Sequence, residues 1–159
     1  MVKVALRLCI ELVPESCWYK NLRKQIKQSQ WNKLRKQICA DQGDACCICG
    51  GTGRLSCHEN WTYDDDHHIQ RLMGFHAVCG MCHHAQHFGV SQILAAQGHL
   101  DLEAVIEHFM KVNGVGRKEF AAHKTESFRI WRERSKHQWQ VDLGEWAPLV
   151  SENAKTVCR

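Results

Sequence analysis

Apolar and polar positions change period several times along this chain, and each change predicts an element. Val2-Lys3-Val4-Ala5-Leu6-Arg7-Leu8 alternates, so residues 2 to 13 read as a strand that Pro14 ends. Residues 17–21 then form a turn carrying Trp18 and Tyr19. Trp31, Leu34 and Ile38 recur at helical spacing and predict a helix from about Ser29 to Ala40, broken at Gly43. Leu55 to Tyr63 and Ile69 to Val78 read as two strands around an Asp64-Asp65-Asp66 loop, and His83 to Phe88 as the start of a short helix. Asp101 caps a helix with the apolar face Leu102, Val105, Ile106, Phe109 and Met110, ending near Asn113-Gly114. A longer helix is expected from about Arg117 to Ser135, with Phe120, Lys124, Phe128 and Trp131 near one face. Trp139, Val141 and Leu143 alternate as a strand expected to pair with the N-terminal one, before a tail anchored by Trp146.

That order gives an α+β class, and 159 residues suit one globular domain. Within it, residues 1–44 form an N-terminal strand and basic helix, 45–90 a cysteine-rich core, 91–145 C-terminal helices and a strand, and 146–159 a tail. The composition, 44% hydrophobic and 24% charged, is that of an ordinary soluble protein. No apolar run reaches the ~18 residues of a membrane span, and the alternating N-terminus is unlike a secretory signal. A cytoplasmic location without a membrane partner is expected.

Ten cysteines change the picture more than the charge does. Cys46-x-x-Cys49 and Cys79-x-x-Cys82 are two bidentate clamps separated by 29 residues, the spacing of a tetrahedral four-thiolate Zn²⁺ site. The remaining cysteines are scattered, which favours metal ligation over a disulfide framework. Cys47, beside Cys46 but without a C-x-x-C partner, reads as a buried or incidental thiol.

Histidines surround these clamps. His83 follows Cys82 directly and His87 lies one helical turn further, so both imidazoles can converge on one cation. His58 lies toward one end of the predicted Leu55–Tyr63 strand, from which it can face that helix. A lone histidine is more often a surface or packing residue, but three beside a four-cysteine set point to chemistry. A divalent ion on His83 and His87 would polarise a phosphate oxygen, and a neutral His58 could take a proton from water attacking phosphorus.

The formal charge of +4 is small, but its distribution is uneven. Lys20, Arg23, Lys24, Lys27, Lys33, Arg35 and Lys36 crowd one segment, and Arg129, Arg132, Arg134 and Lys136 another. Either stripe alone could be a solvated helix face. Flanking a metal site, they favour a phosphate backbone, with Lys24, Lys27, Arg35, Lys36 and Arg132 as the expected contacts.

Cys46-Cys47-Ile48-Cys49-Gly50, Ser56-Cys57-His58-Glu59 and Val78-Cys79-Gly80-Met81-Cys82-His83-His84-Ala85-Gln86-His87 together resemble the HNH, or His-Me finger, endonucleases, in the branch braced by two C-x-x-C knuckles. The flanks Ile10-Glu11-Leu12-Val13-Pro14 and Trp131-Arg132-Glu133-Arg134-Ser135 add a weaker likeness. The resemblance implies a ββα-metal finger with structural zinc, flanking helices and a small terminal sheet. It implies a phosphodiester hydrolase acting on nucleic acid, most of all DNA, with His58 as general base and His83 and His87 as metal ligands. A residue adjoining His58 would complete the coordination. The family places Asp or His there, whereas this chain has Cys57, a soft ligand poorly matched to Mg²⁺. In a register shifted by one, His58 is the ligand and Glu59 the base; a carboxylate from Asp64 to Asp66 could also approach the metal. Gly74 stands where the family has its middle asparagine, and Gln70 is the nearest amide. The imidazole-rich set admits Zn²⁺, Ni²⁺ or Mn²⁺ as well as Mg²⁺. Small nucleases of this type work in defence or RNA-guided assemblies, so a protein or RNA-guided partner is a further implication. The competing expectation is a catalytically decayed, zinc-stabilised nucleic-acid-binding or structural subunit, with tryptophans such as Trp18 at an interface.

Overall fold

The computed structural model of the chain describes residues 5–150. Its centre is a hairpin of β1 (Leu55–Asp64) and β2 (Ile69–Cys79), antiparallel, with His58 opposite His76 and Leu55 opposite Cys79. At the turn, Asp64 Oδ1 accepts hydrogen bonds from the backbone N–H groups of Asp66 and His67. The register shifts between Asn60 and Trp61: Asn60 faces Gly74 and Trp61 faces Leu72, which leaves Met73 unopposed. Gly74 takes φ +149° at this bulge, a backbone shape that disfavours side chains.

Each face of the hairpin buries a different set. Toward α1 (Leu22–Gln25) and α2 (Gln28–Asp41) it packs Cys57, Leu72 and Phe75 against Leu22, Ile26 and Trp31, with Trp31 edge-on to Phe75. The other cluster joins Leu55, Ala77 and Val78 to α3 (Gly80–Gln86), α4 (Phe88–Ala96), α5 (Leu102–Asn113) and α6 (Arg117–Arg134). Its aromatic centre is Phe88, Phe109 and Phe120, in edge-to-face contact about the last of these. The helices expected over 29–40, 102–113 and 117–135 are present. Asp101 caps α5 through Oδ1 to the Ala104 N–H (3.1 Å), and Gly114 closes it in the left-handed conformation. No helix among the described residues is long and apolar enough to cross a membrane.

Three expectations are corrected. Over its described part, residues 5–13, the N-terminal segment is not a strand and bends at Arg7 and Leu8. Its polar backbone groups are met by side chains and helix ends instead. The side chain of Asn113 accepts from the Arg7 and Leu8 N–H groups and donates to Leu8 O, His123 Nε2 accepts from Ile10 N–H, and Gln86 O accepts from Glu11 N–H. Leu8 and Ile10 are buried beneath it, so its alternation is real while its partners are helices. Second, β3 (Gln140–Asp142) does not pair with that segment. It runs parallel to β2 at Ile69–Arg71, so the sheet order is β1-β2-β3. Third, the short helix is Gly80–Gln86, and a separate helix, α4, follows a break at His87 (ψ 48°). Ser91 Oγ donates to His84 O at 2.7 Å across that break.

Because Asn113 alone satisfies three backbone groups of the N-terminal segment, Asn113→Ala is expected to cost about 1–3 kcal/mol of stability. Limited proteolysis should then cut within residues 5–13 faster than in the wild type, with the far-ultraviolet dichroism of the helices preserved.

Candidate metal centres

Cys46 and Cys49 lie on the knuckle preceding β1, Cys79 ends β2, and Cys82 sits in the first turn of α3. Their ligand atoms all lie within 4.8 Å of one another, and among the described residues they alone form such a group of three or more. A four-sulfur zinc tetrahedron with Zn–S near 2.3 Å requires sulfurs about 3.8 Å apart. Cys49 Sγ and Cys79 Sγ are 3.6 Å apart. The backbone supplies the small-residue turn that such a knuckle needs: Gly51 N–H points at Cys49 Sγ (3.4 Å) and Cys82 N–H at Cys79 Sγ (3.4 Å). Burial raises the Cys46 thiol, but backbone hydrogen bonds from Cys49, Cys79 and Ile48 outweigh it and bring it down to about 7, toward the thiolate a metal binds. The four thiols fit a zinc ion. Cys47 is exposed and outside the set.

His108, on α5, places Nε2 3.2 Å from Cys82 Sγ. Nothing in the spacing of cysteines and histidines points to it, because no C-x-x-C or H-x-x-x-H pattern includes it. It occupies the position from which outer groups orient a metal's ligands.

The second gathering is imidazole. His58, on β1, is 3% exposed; its ring centroid lies 5.8 Å from that of His83 and 4.9 Å from that of His87, which are 4.7 Å from each other. Imidazoles bound tetrahedrally at about 2.1 Å put their centroids about 5.2 Å apart. His58 Nδ1 is buried and makes no hydrogen bond, an orphan of the kind a cation would satisfy. The ligand atoms of the three imidazoles do not all come within 4.8 Å of one another as those of the thiols do, so closure on an ion requires the side chains to move. Burial, then the neighbouring His87 and His83, pushes the pKa of His58 down to about 3; burial and His87 bring His83 to about 4, and burial lowers His87. All three are neutral at pH 7, as metal ligands must be. His84 turns away, its Nδ1 3.4 Å from Ser91 Oγ.

Glu11 completes the group. Its Oε2 is 3.4 Å from His58 Nε2, and Gln86 Nε2 donates to Oε1 at 3.3 Å. The side chain is 42% exposed, yet its crowded surroundings desolvate the carboxyl enough to raise its pKa. Sequence spacing could not find it, since it reaches the site by tertiary packing alone.

Other expected residues go elsewhere. Cys57 lies in the apolar cluster with Trp31 and Phe75, its thiol pushed up to about 12 by burial. Glu59 Oε1 accepts from the Arg23 N–H (3.0 Å) at the start of α1. Strand alternation sends both away from His58. Asp64 and Asp65 pair with His67 and Arg134 at the far end of the hairpin, and Gln70, opposite Tyr63, lies there too. Of the expected nucleic-acid contacts, Lys24, Lys27 and Lys36 are exposed around α1 and α2, Arg35 is half-buried in a cavity that also reaches His83, and Arg132 lines a separate hollow on α6. Comparison with family models, curated proteins and solved structures finds no match for this chain.

Two outcomes are expected. His108→Phe should release zinc to a chromogenic chelator about 10- to 100-fold more readily than the wild type while the four cysteines remain. The imidazoles titrate near 6.5 when unfolded and well below that when folded, so the unfolded chain binds more protons between those values. Stability without a cation at the imidazoles should therefore fall as pH drops from 7 to 5.5, and His58→Gln should flatten part of that fall in thermal unfolding.

Proposed function

We propose that the chain is a metal-dependent endonuclease of the HNH type, hydrolysing phosphodiester bonds of nucleic acid and most of all DNA. Zinc on the four thiols has a structural role in this reading, and a divalent cation at the imidazoles a catalytic one. The observation that carries it is the convergence of His58, His83 and His87 where a hairpin runs directly into a helix, which is the order of a ββα-metal finger. A cation bound there supplies charge stabilisation to a phosphate oxygen and to the leaving 3′ oxygen. His83 and His87, neutral and one turn apart, hold it. An imidazole-rich set suits Mn²⁺, Ni²⁺ or Zn²⁺ at least as well as Mg²⁺. A protein or RNA-guided partner that delivers the strand would provide the sequence selection for which the chain shows no reading element.

His58 is the general base by family likeness, but its burial favours a second role. An imidazole with a pKa near 3 accepts a proton weakly at neutral pH, whereas its orphaned Nδ1 and its place in the ring triad suit a third ligand. Glu11 is then the carboxylate best placed to take the proton from water, being adjacent, half-exposed and raised in pKa.

Purified protein is expected to nick supercoiled plasmid in the presence of Mn²⁺, Ni²⁺ or Mg²⁺ and not in EDTA. His83→Ala and His87→Ala should each lower the rate at least about 100-fold. Calorimetric titration with Mn²⁺ separates the roles of His58: as a ligand, His58→Ala loses metal affinity and cleavage together; as a base, it loses cleavage alone. Wild-type protein that binds DNA but cuts with none of these ions would instead establish a binding protein.

A further inference from the structure

A cavity of about 190 Å³ opens beside the imidazole cluster, and His83 belongs to both. Three arginines from separate parts of the chain line it: Arg23 from α1, Arg35 from α2, and Arg54 from the loop leading into β1. Among the described residues none of the three guanidinium groups has a carboxylate within 4.0 Å, whereas Arg71, Arg117, Arg129 and Arg134 are each paired with one. Arg23 is steadied instead by the Trp31 ring, its guanidinium carbon 5.6 Å from the ring centroid. Like charges gathered in one hollow repel; Glu59, which accepts the Arg23 backbone N–H and interacts with that guanidinium, sets one negative charge against three positive ones, and an anion balances the excess.

The cavity is smaller than the ~300–1,000 Å³ that encloses a drug-sized ligand. It accommodates a single oxyanion group whose remainder lies outside, as a phosphate within a polymer does. Guanidinium forks match phosphate oxygens two at a time. We propose that this cavity seats a backbone phosphate of nucleic acid, neighbouring the phosphodiester presented to the imidazoles across His83. The identity of the polymer rests on the endonuclease reading, but the site's occupancy is measurable without cleavage.

The test is binding of a short labelled DNA duplex, followed by fluorescence anisotropy at several salt concentrations with no added divalent ion. Arg23→Ala, Arg35→Ala and Arg54→Ala are compared with the wild type and with Lys118→Ala, which removes a charge from α6 outside the cavity. Zinc content and dichroism equal to wild type qualify each variant, and Arg→Gln replaces any that fails to fold. Each arginine variant is expected to bind about tenfold more weakly. The slope of log affinity against log salt should fall by about 0.9 per contact removed. Unchanged affinity and slope in all three, or an equal loss in Lys118→Ala, would overturn the proposal in favour of a diffuse basic surface. If arginine-dependent binding occurs and the wild type fails to cut with any of the ions tested, the cavity stands and the nuclease reading falls. Cutting without arginine dependence gives the reverse.

Discussion

The thiol cluster at the junction of knuckle, strand and helix is the constraint on which the imidazole geometry depends. Helix α3 has only seven residues, too few to hold itself in water. Its first turn is fixed by Cys79, whose Sγ caps it, and by Cys82, completely buried against Val105 and Phe109 in the same cluster. With that turn pinned to the Cys46–Cys49 knuckle, helical geometry alone determines where His83 and His87 point. His108 then ties α5 to the same sulfur that anchors α3. A metal at the thiols would thus act at a distance, by holding the imidazoles of His83 and His87 in phase.

The second constraint is the desolvation of three neutral imidazoles, His58 buried and His83 and His87 half-buried. Their desolvation is unfavourable to protonation and leaves His58 Nδ1 without a hydrogen bond, a polar cost that ordinary packing would avoid. The N-terminal segment contributes to that burial, held down by Asn113, His123 and Gln86 and carrying Glu11 to the edge of the cluster. Over its described residues its backbone is matched to helical side chains and a helix end and not to a strand. This accounts for strand-like alternation in described residues that join no sheet.

Much of this was legible in the sequence because it is local. The C-x-x-C clamps, the H-x-x-x-H pair, the hairpin strands and the helices capped by Asp101 and ended by Gly114 each announce themselves within a few residues. What the sequence hid depends on the packing of distant parts. Glu11 and His108 reach their sites through helices α3 and α5, and the three cavity arginines converge from elements whose only common signal was positive charge. The parallel pairing of β3 with β2 was missed because alternation specifies a strand but not its neighbour. Helix α4 was missed because its apolar residues, Val90 and Ile93 among them, are half exposed and trace no clean buried face.

The division of labour within Cys57-His58-Glu59 follows from the period of two in a strand. His58 faces α3, while Cys57 and Glu59 face α1 and α2, where one fills the core and the other receives the Arg23 N–H. A slip of one residue would exchange these faces, burying His58 among Trp31 and Phe75 and carrying a soft thiol and a carboxylate toward His83 and His87. Register therefore decides which side chains meet His83 and His87. It is fixed at one end by Cys79, which lies opposite Leu55 and within the thiol cluster, and toward the other by the bulge where Gly74 accommodates a φ that few residues tolerate. The two devices bracket His58 from both sides, so strand pairing decides that an imidazole, and not a thiol, faces His83 and His87.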